Sequence, residues 1–173
     1  DPLRKRLVLF GGQNGRRRRF GPPGSTALND TWEWDGRRWQ QIAAGSPPPI
    51  RGGARLDYDS VARILRIYGG DSYTGMPPTP DSVYTNVYTY NGTTWSLAPS
   101  TGREVTRTGT MAFDPDKNRL VTFGGTPFNG GCGCYAGDGA FTTWTWGAVS
   151  GWLMSTPGTI PPGRRHAAMA YDA

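Results

Sequence analysis

Apolar residues along the chain come in short bursts bounded by glycine, proline and polar clusters. The clearest are Leu7-Val8-Leu9-Phe10, Ile64-Leu65-Arg66-Ile67-Tyr68 and Leu120-Val121-Thr122-Phe123. Each runs straight into a Gly-Gly doublet: Gly11-Gly12, Gly69-Gly70 and Gly124-Gly125. Bursts of that length, rich in branched and aromatic residues, predict strands. No longer segment places apolar residues at a helical period, so the predicted fold class is all-β.

The doublets recur at spacings of 58 and 55 residues, and two further markers share the period. An aromatic pair follows each doublet: Trp34/Trp39, Tyr90/Trp95 and Trp146/Trp152. A third motif reads Leu56-Asp57-Tyr58-Asp59, Met111-Ala112-Phe113-Asp114 and Met169-Ala170-Tyr171-Asp172. Three markers with one period define a repeated supersecondary unit. In the second unit the pattern predicts four strands, a at about 53–58, b at 63–68, c at 86–90 and d at 94–98. The c–d turns carry Asp35-Gly36 and Asn91-Gly92, strong two-residue hairpin signals; in the third unit the longer 147–151 replaces them.

These features are similar to the Kelch repeat: a Gly-Gly doublet after strand b, a Tyr or Trp on strand c, and a Trp on strand d. The resemblance covers essentially the whole chain. It implies a β-propeller in which each repeat forms one blade of four antiparallel strands, three blades per chain. Ring packing covers both faces of each sheet, and the Trp side chains, Trp39, Trp95 and Trp152 among them, are expected to be buried between blades.

The expected domain is 1–173, a Kelch-repeat propeller segment. Strands b to d of blade 1 lie in 1–42, blade 2 in 43–98, blade 3 in 99–155, and a terminal strand a in 164–173 completes a first blade by lying beside 7–10. Three blades make half of a six-bladed ring, closed by a homodimer, or a fragment of a larger propeller. Asp1 follows no Met and no apolar leader, which reads as a mature form or a fragment. An extracytoplasmic or secreted location is favoured.

Composition adds charge to this picture. There are 26 Gly and 15 Pro, in keeping with many turns, and no apolar run long enough to span a membrane. Lys and Arg total 19 against 13 Asp and Glu, a net charge of +6, and all but Lys5 and Lys117 of the basic residues are Arg. Such a balance points to a protein partner, an acidic glycan or another anionic ligand. Long connections, 13–27, 71–83 and 126–140 after strand b and 43–50, 99–106 and 155–163 after strand d, should gather at one end, where binding residues usually sit.

The ligand-binding candidates there are Arg16, Arg17, Arg18 and Arg19 on one loop, and Arg51, Arg107, Arg164 and Arg165 at the starts of strands a, ringing the channel mouth. Guanidinium suits bidentate contact with carboxylate, sulfate or phosphate. Pro-Pro-x-Arg recurs at 48–51 and 161–164, and recurrence within a repeat points to scaffold as well as site. Cys132-Gly133-Cys134 offers a disulfide, with free thiols and metal binding as the alternatives. Asn29-Asp30-Thr31 and Asn91-Gly92-Thr93 match the glycosylation pattern but fall on framework positions.

Catalysis is the less favoured reading: His166 is the only histidine, and no nucleophile elbow, zinc-helix motif or carboxylate pair accompanies it. Some Kelch proteins are enzymes, such as galactose oxidase with its copper and the iron-dependent specifier proteins, but one histidine does not supply such a ligand set. No cofactor is expected. A non-catalytic binding module is the leading reading. An enzyme or glycan-processing domain with an Arg-lined mouth, and an assembly unit built by strand exchange between chains, are the alternatives.

Overall fold

The computed structural model describes residues 1–14, 26–72, 82–99, 106–107, 109–127, 141–164 and 166–172. Among them there are strands and no helix. Three antiparallel sheets follow one another along the chain. The first holds β1 (Leu7–Asn14), β2 (Thr26–Trp34) and β3 (Trp39–Ile42) in that order. The second has the order β4 (Arg55–Asp59), β5 (Ile64–Tyr68), β8 (Val87–Tyr90), β9 (Trp95–Leu97). The third repeats it as β11 (Thr110–Asp114), β12 (Arg119–Phe123), β14 (Thr143–Gly147) and β15 (Gly151–Ser155). Two small ribbons, β6 (Asp71–Ser72) with β7 (Ser82–Val83) and β10 (Thr106–Arg107) with β13 (Thr126–Pro127), stand beside them.

Local chemistry fixes the hairpins. The Asp35 carboxylate accepts the backbone N–H groups of Arg37 and Arg38 at 2.8 and 2.9 Å, and the Asn91 side chain accepts those of Thr93 and Thr94 at 3.0 and 2.9 Å. Each is an Asx turn, and Gly36 and Gly92 follow with positive φ. Asp59 closes the β4–β5 turn the same way, accepting from Val61 and Ala62. All six doublet glycines lie in the left-handed region. A Cβ on Gly70 would sit 2.7 Å from the Gly52 carbonyl oxygen, so neither conformation nor space admits a side chain there.

Pairing across a sheet sets which side chains share a face. Leu65 opposes Tyr90, which opposes Trp95; all three are buried, with Ile67, against Val8 and Phe10 of the first sheet. Trp95 donates its indole N–H to Thr31 Oγ1 at 3.0 Å, and its ring lies 4.8 Å from that of Phe10. The opposite face of the second sheet, Tyr68, Val87 and Ala98, packs with Met111, Phe113, Leu120, Trp146 and Trp152 of the third. Here Tyr68 and Trp152 rings are 4.5 Å apart, and the Phe113 N–H donates to Asp57 Oδ2 at 2.6 Å. The two interfaces are the same interface used twice.

Two expectations need correction. Trp95 and Trp152 are buried, but Trp39 is 47% exposed, because among the described residues no sheet packs on the face that carries it. The terminal segment, expected as a strand beside 7–10, forms no strand and lies by the third sheet instead. The Arg164 carbonyl accepts the Gly125 N–H at 2.8 Å, and the Tyr171 hydroxyl donates to Asp116 at 2.7 Å. The cause is geometric: this segment continues from the third sheet as β4 and β11 continue from the first and second, and β1 lies at the other end of the row. Among the described residues β1 pairs only with β2.

Candidate functional site

The residues between strand d of one sheet and the first strand of the next meet the glycine doublets at one end of the sheets. Arg51 sits at this junction and is fully buried. Its carbonyl accepts the Gly12 N–H of the first sheet at 2.9 Å, and its N–H donates to the Leu28 carbonyl at 2.9 Å. Its guanidinium turns the other way, donating from Nη1 to the Gly69 carbonyl of the second sheet at 3.2 Å and from Nε to Pro49 at 3.1 Å. The guanidinium carbon lies 4.2 Å from the Tyr84 ring centroid and 5.2 Å from that of Tyr88. One residue thus fastens two sheets.

No carboxylate among the described residues pairs with Arg51, and its buried Nη2 has no hydrogen-bond partner. Carbonyl dipoles and ring faces stabilise the cation, but less than the water it has left. Burial accordingly lowers its pKa from the ordinary 12.5 to about 10. At neutral pH the group remains charged, and among the described residues no carboxylate neutralises it.

Arg164 repeats the Arg51 arrangement in part. Its Nε donates to the Pro162 carbonyl at 3.0 Å, two residues back as in Arg51, and its own carbonyl accepts from Gly125 as that of Arg51 does from Gly12. Its side chain is exposed. Arg107 lies on β10 opposite Thr126. That is the register of Gly52 opposite Asp71, one residue past Arg51. The three arginines are therefore not equivalent: Arg51 and Arg164 share a position and Arg107 does not. Arg16, Arg17, Arg18, Arg19, Arg165, Cys132 and Cys134 lie outside the described residues.

Two buried arginines escape the sequence reading. Arg55 donates from Nε to the Gly109 carbonyl at 2.7 Å and stands 5.8 Å from the Tyr68 ring centroid. Arg66 pairs with Asp59 at 2.5 Å, with both side chains nearly inaccessible, and lies 4.9 Å from the Trp146 ring. The available signal was a charged residue inside an apolar strand burst, as in Ile64-Leu65-Arg66-Ile67-Tyr68, which requires a buried partner. Both bind sheet to sheet.

A cavity of 330 Å³ opens where the first strands converge, lined by Leu56, Tyr58, Met111, Phe113 and Met169. These are the corresponding positions of the three repeated motifs, so the repeat itself builds the wall. Asp57, also on the wall, is engaged by the N–H groups of Tyr58 and Phe113. His166 is exposed and has a φ of 54°, matching the left-handed Gly53 at the same repeat position. Among the described residues no group of three His, Cys, Asp or Glu side chains is placed to hold a metal ion, and no helix is long and apolar enough to cross a membrane.

No family model matches the sequence, and no curated protein is similar to it at the sequence level. The fold is similar to a solved structure described as "Structure of YjhT", with a TM-score of 0.63 and 12% identity, over 91% of this chain and 50% of that one. The chain spans about half the length of that structure. At this identity the likeness supports an all-β architecture of several antiparallel sheets and nothing about chemistry.

Proposed function

We propose that this chain is a segment of a Kelch-type β-propeller whose long-connection end binds an acidic partner, a protein or glycan that presents carboxylate, sulfate or phosphate groups. The sheets supply a rigid frame of repeated interfaces, and the connections at the doublet end supply the variable surface. The observation that carries the reading is Arg51: a buried guanidinium, unpaired by any described carboxylate, at that end. A fixed charge of this kind raises the local potential without competing for the ligand, because its donors are turned into the protein. Contacts would come from the arginines that the sequence places in the connections, with Arg16 to Arg19 as the leading group and Arg107, Arg164 and Arg165 as further candidates. The overall charge of +6 acts in the same direction.

Retention on immobilised heparin tests the reading. The parent chain should be retained at low salt and elute as ionic strength rises, since screening shortens the reach of surface charge to about 8 Å at physiological salt. Replacing Arg16 to Arg19 together by Ser should lower the eluting salt while the melting temperature stays the same. Equal elution of parent and variant would remove these four residues from the binding surface. Absence of any retention of the parent would refute the polyanion reading as a whole.

A further inference from the structure

We infer that Arg51 is a positioning residue that joins connections 13–27 and 71–83 into one unit, so that an anionic ligand held by the first is sensitive to the anchoring of the second. The inference rests on the reading of this end as a surface for anionic partners, and it names the connections that act together there.

The segment Arg51-Gly52 reaches both flanks of both connections. The first connection leaves β1 and enters β2, and the main chain of Arg51 bonds to either side of it. The Arg51 carbonyl accepts the Gly12 N–H, and its own N–H donates to the Leu28 carbonyl, each at 2.9 Å. The approach is close. A Cβ on Gly11 would lie 2.8 Å from the Leu28 carbonyl oxygen and 2.9 Å from that of Arg51, and one on Gly52 would lie 2.6 Å from Gln13 Cγ. The second connection is flanked by Gly69-Gly70 and Tyr84, and the same segment holds these too. The Gly52 N–H donates to the Asp71 carbonyl at 2.8 Å, and the Asp71 N–H donates back to Gly52 at 2.9 Å. The Arg51 guanidinium donates to the Gly69 carbonyl and lies over the Tyr84 ring, while the Tyr84 N–H donates to the Gly70 carbonyl at 3.0 Å. The flanks of two connections therefore meet on two residues. A displacement that moves Arg51 at one connection breaks its contacts at the other, which is the physical condition for coupling.

The repeat does not require an arginine for this. Arg107 stands opposite Thr126 where Gly52 stands opposite Asp71, so Thr106 occupies the Arg51 position at the next junction. The β10–β13 pairing forms there with a threonine. The backbone pairing is thus scaffold, and the guanidinium is an addition that the second junction lacks. Burying it costs solvation free energy that carbonyls and ring faces return only in part. Its closest contacts beyond its own segment, Gly69 and Tyr84, are the residues that flank 71–83.

Tyr84→Leu tests the inference without changing charge or replacing an arginine. Native-state amide exchange is followed at Gly12 and Arg51, whose N–H and carbonyl groups hold the first connection, with Leu120 of the third sheet as reference. Exchange at Gly12 and Arg51 should accelerate by at least about threefold, within the range for residues that share a contact, while Leu120 is unchanged. The salt that elutes the chain from immobilised heparin should fall, and the same substitution should add no further loss once Arg16 to Arg19 have been replaced by Ser. Tyr84→Phe, which keeps the ring beneath the guanidinium, should match the parent in both assays. Arg51→Met gives the exchange readout if Tyr84→Leu does not fold. Unchanged exchange at Gly12 and Arg51, or equal acceleration at Leu120, would overturn the joining of the two connections. Faster exchange with unchanged elution would overturn its bearing on the ligand. A parent chain that heparin does not retain would refute the polyanion reading, and the exchange result then decides the joining by itself.

Discussion

The first and second sheets carry nearly the same face, and it meets opposite fates. Leu7, Leu9 and Trp39 of the first are 63%, 45% and 47% exposed; Leu65, Ile67 and Trp95 of the second are 5%, 1% and 1%. The residue types match position by position, and so does the backbone pairing: Leu7 opposes Trp34, which opposes Trp39, as Leu65 opposes Tyr90, which opposes Trp95. What differs is the neighbour. A strand pattern therefore encodes a face that requires cover, while the arrangement of sheets decides whether the cover is present. In a stacked repeat, stability resides in the interfaces between units as much as in the units.

The largest expected effect that separates the two faces is at Trp95. Trp95→Ala removes a buried indole packed on Phe10 and Tyr90, together with the bond to Thr31. It should cost about 3–5 kcal/mol, measured by urea unfolding with unchanged m-value. A loss below about 1 kcal/mol would mean that the first and second sheets are not held by this contact. Next comes the buried pair on the other interface. Asp59→Ala leaves Arg66 charged and unpaired beneath Trp146 and also removes the acceptor of the β4–β5 turn. A loss of about 3 kcal/mol is expected, larger than that of Asp35→Ala at an exposed turn. Equal losses at the two positions would assign the Asp59 effect to its turn alone.

A third contrast uses pH. The single Tyr90 O–H has two acceptors within reach, the Gly92 carbonyl at 2.9 Å and Glu33 of the first sheet at 3.3 Å. Burial, helped by the Glu33 charge, raises its pKa from 10.0 to about 12. The folded state then keeps a proton that the unfolded chain gives up between these values. The stability Tyr90 contributes is complete below pH 10 and is lost as pH rises towards 12. Arg51 acts with the opposite sign, since its lowered pKa relieves a burial penalty above about pH 10. Comparing the parent with Tyr90→Phe isolates the tyrosine, because both keep Arg51. The melting temperature of the parent should fall more steeply between pH 10 and 12 than that of Tyr90→Phe. Parallel slopes would show that the hydroxyl ionises normally.

Much of this architecture was legible in the sequence because it is locally determined. The doublets mark where φ must be positive, Asn91-Gly92 and Asp35-Gly36 mark hairpins, and the four strands of the second sheet begin and end within a residue or two of the expected limits, whereas β1 runs four residues past its apolar burst. The ribbons were not legible, since Asp71–Ser72 is too short to show a period. The depth of Arg51 was not legible either. An arginine after two prolines reads as a surface residue, and its burial depends on Gly69 and Tyr84, which lie in the next sheet. The segment 166–172 has the composition of a strand and does not form one, because a ladder requires a partner strand as well as a pattern. Of the candidate site, the recurring Pro-Pro-x-Arg was readable as a shared backbone geometry. Its division into one buried and one exposed guanidinium depends on which neighbour is present.

The smallest expected effect is at Trp39, and it completes the comparison with Trp95. In a single chain the Trp39 ring touches Trp34, with centroids 5.7 Å apart, and otherwise faces solvent over nearly half its surface. Removing it opens no enclosed cavity, so only the transfer term for the covered part is lost, about 2 kcal/mol. Trp39→Ala should therefore lower the urea midpoint by less than Trp95→Ala does. A loss of about 3–5 kcal/mol, equal to that expected at Trp95, would mean that Trp39 is enclosed as Trp95 is.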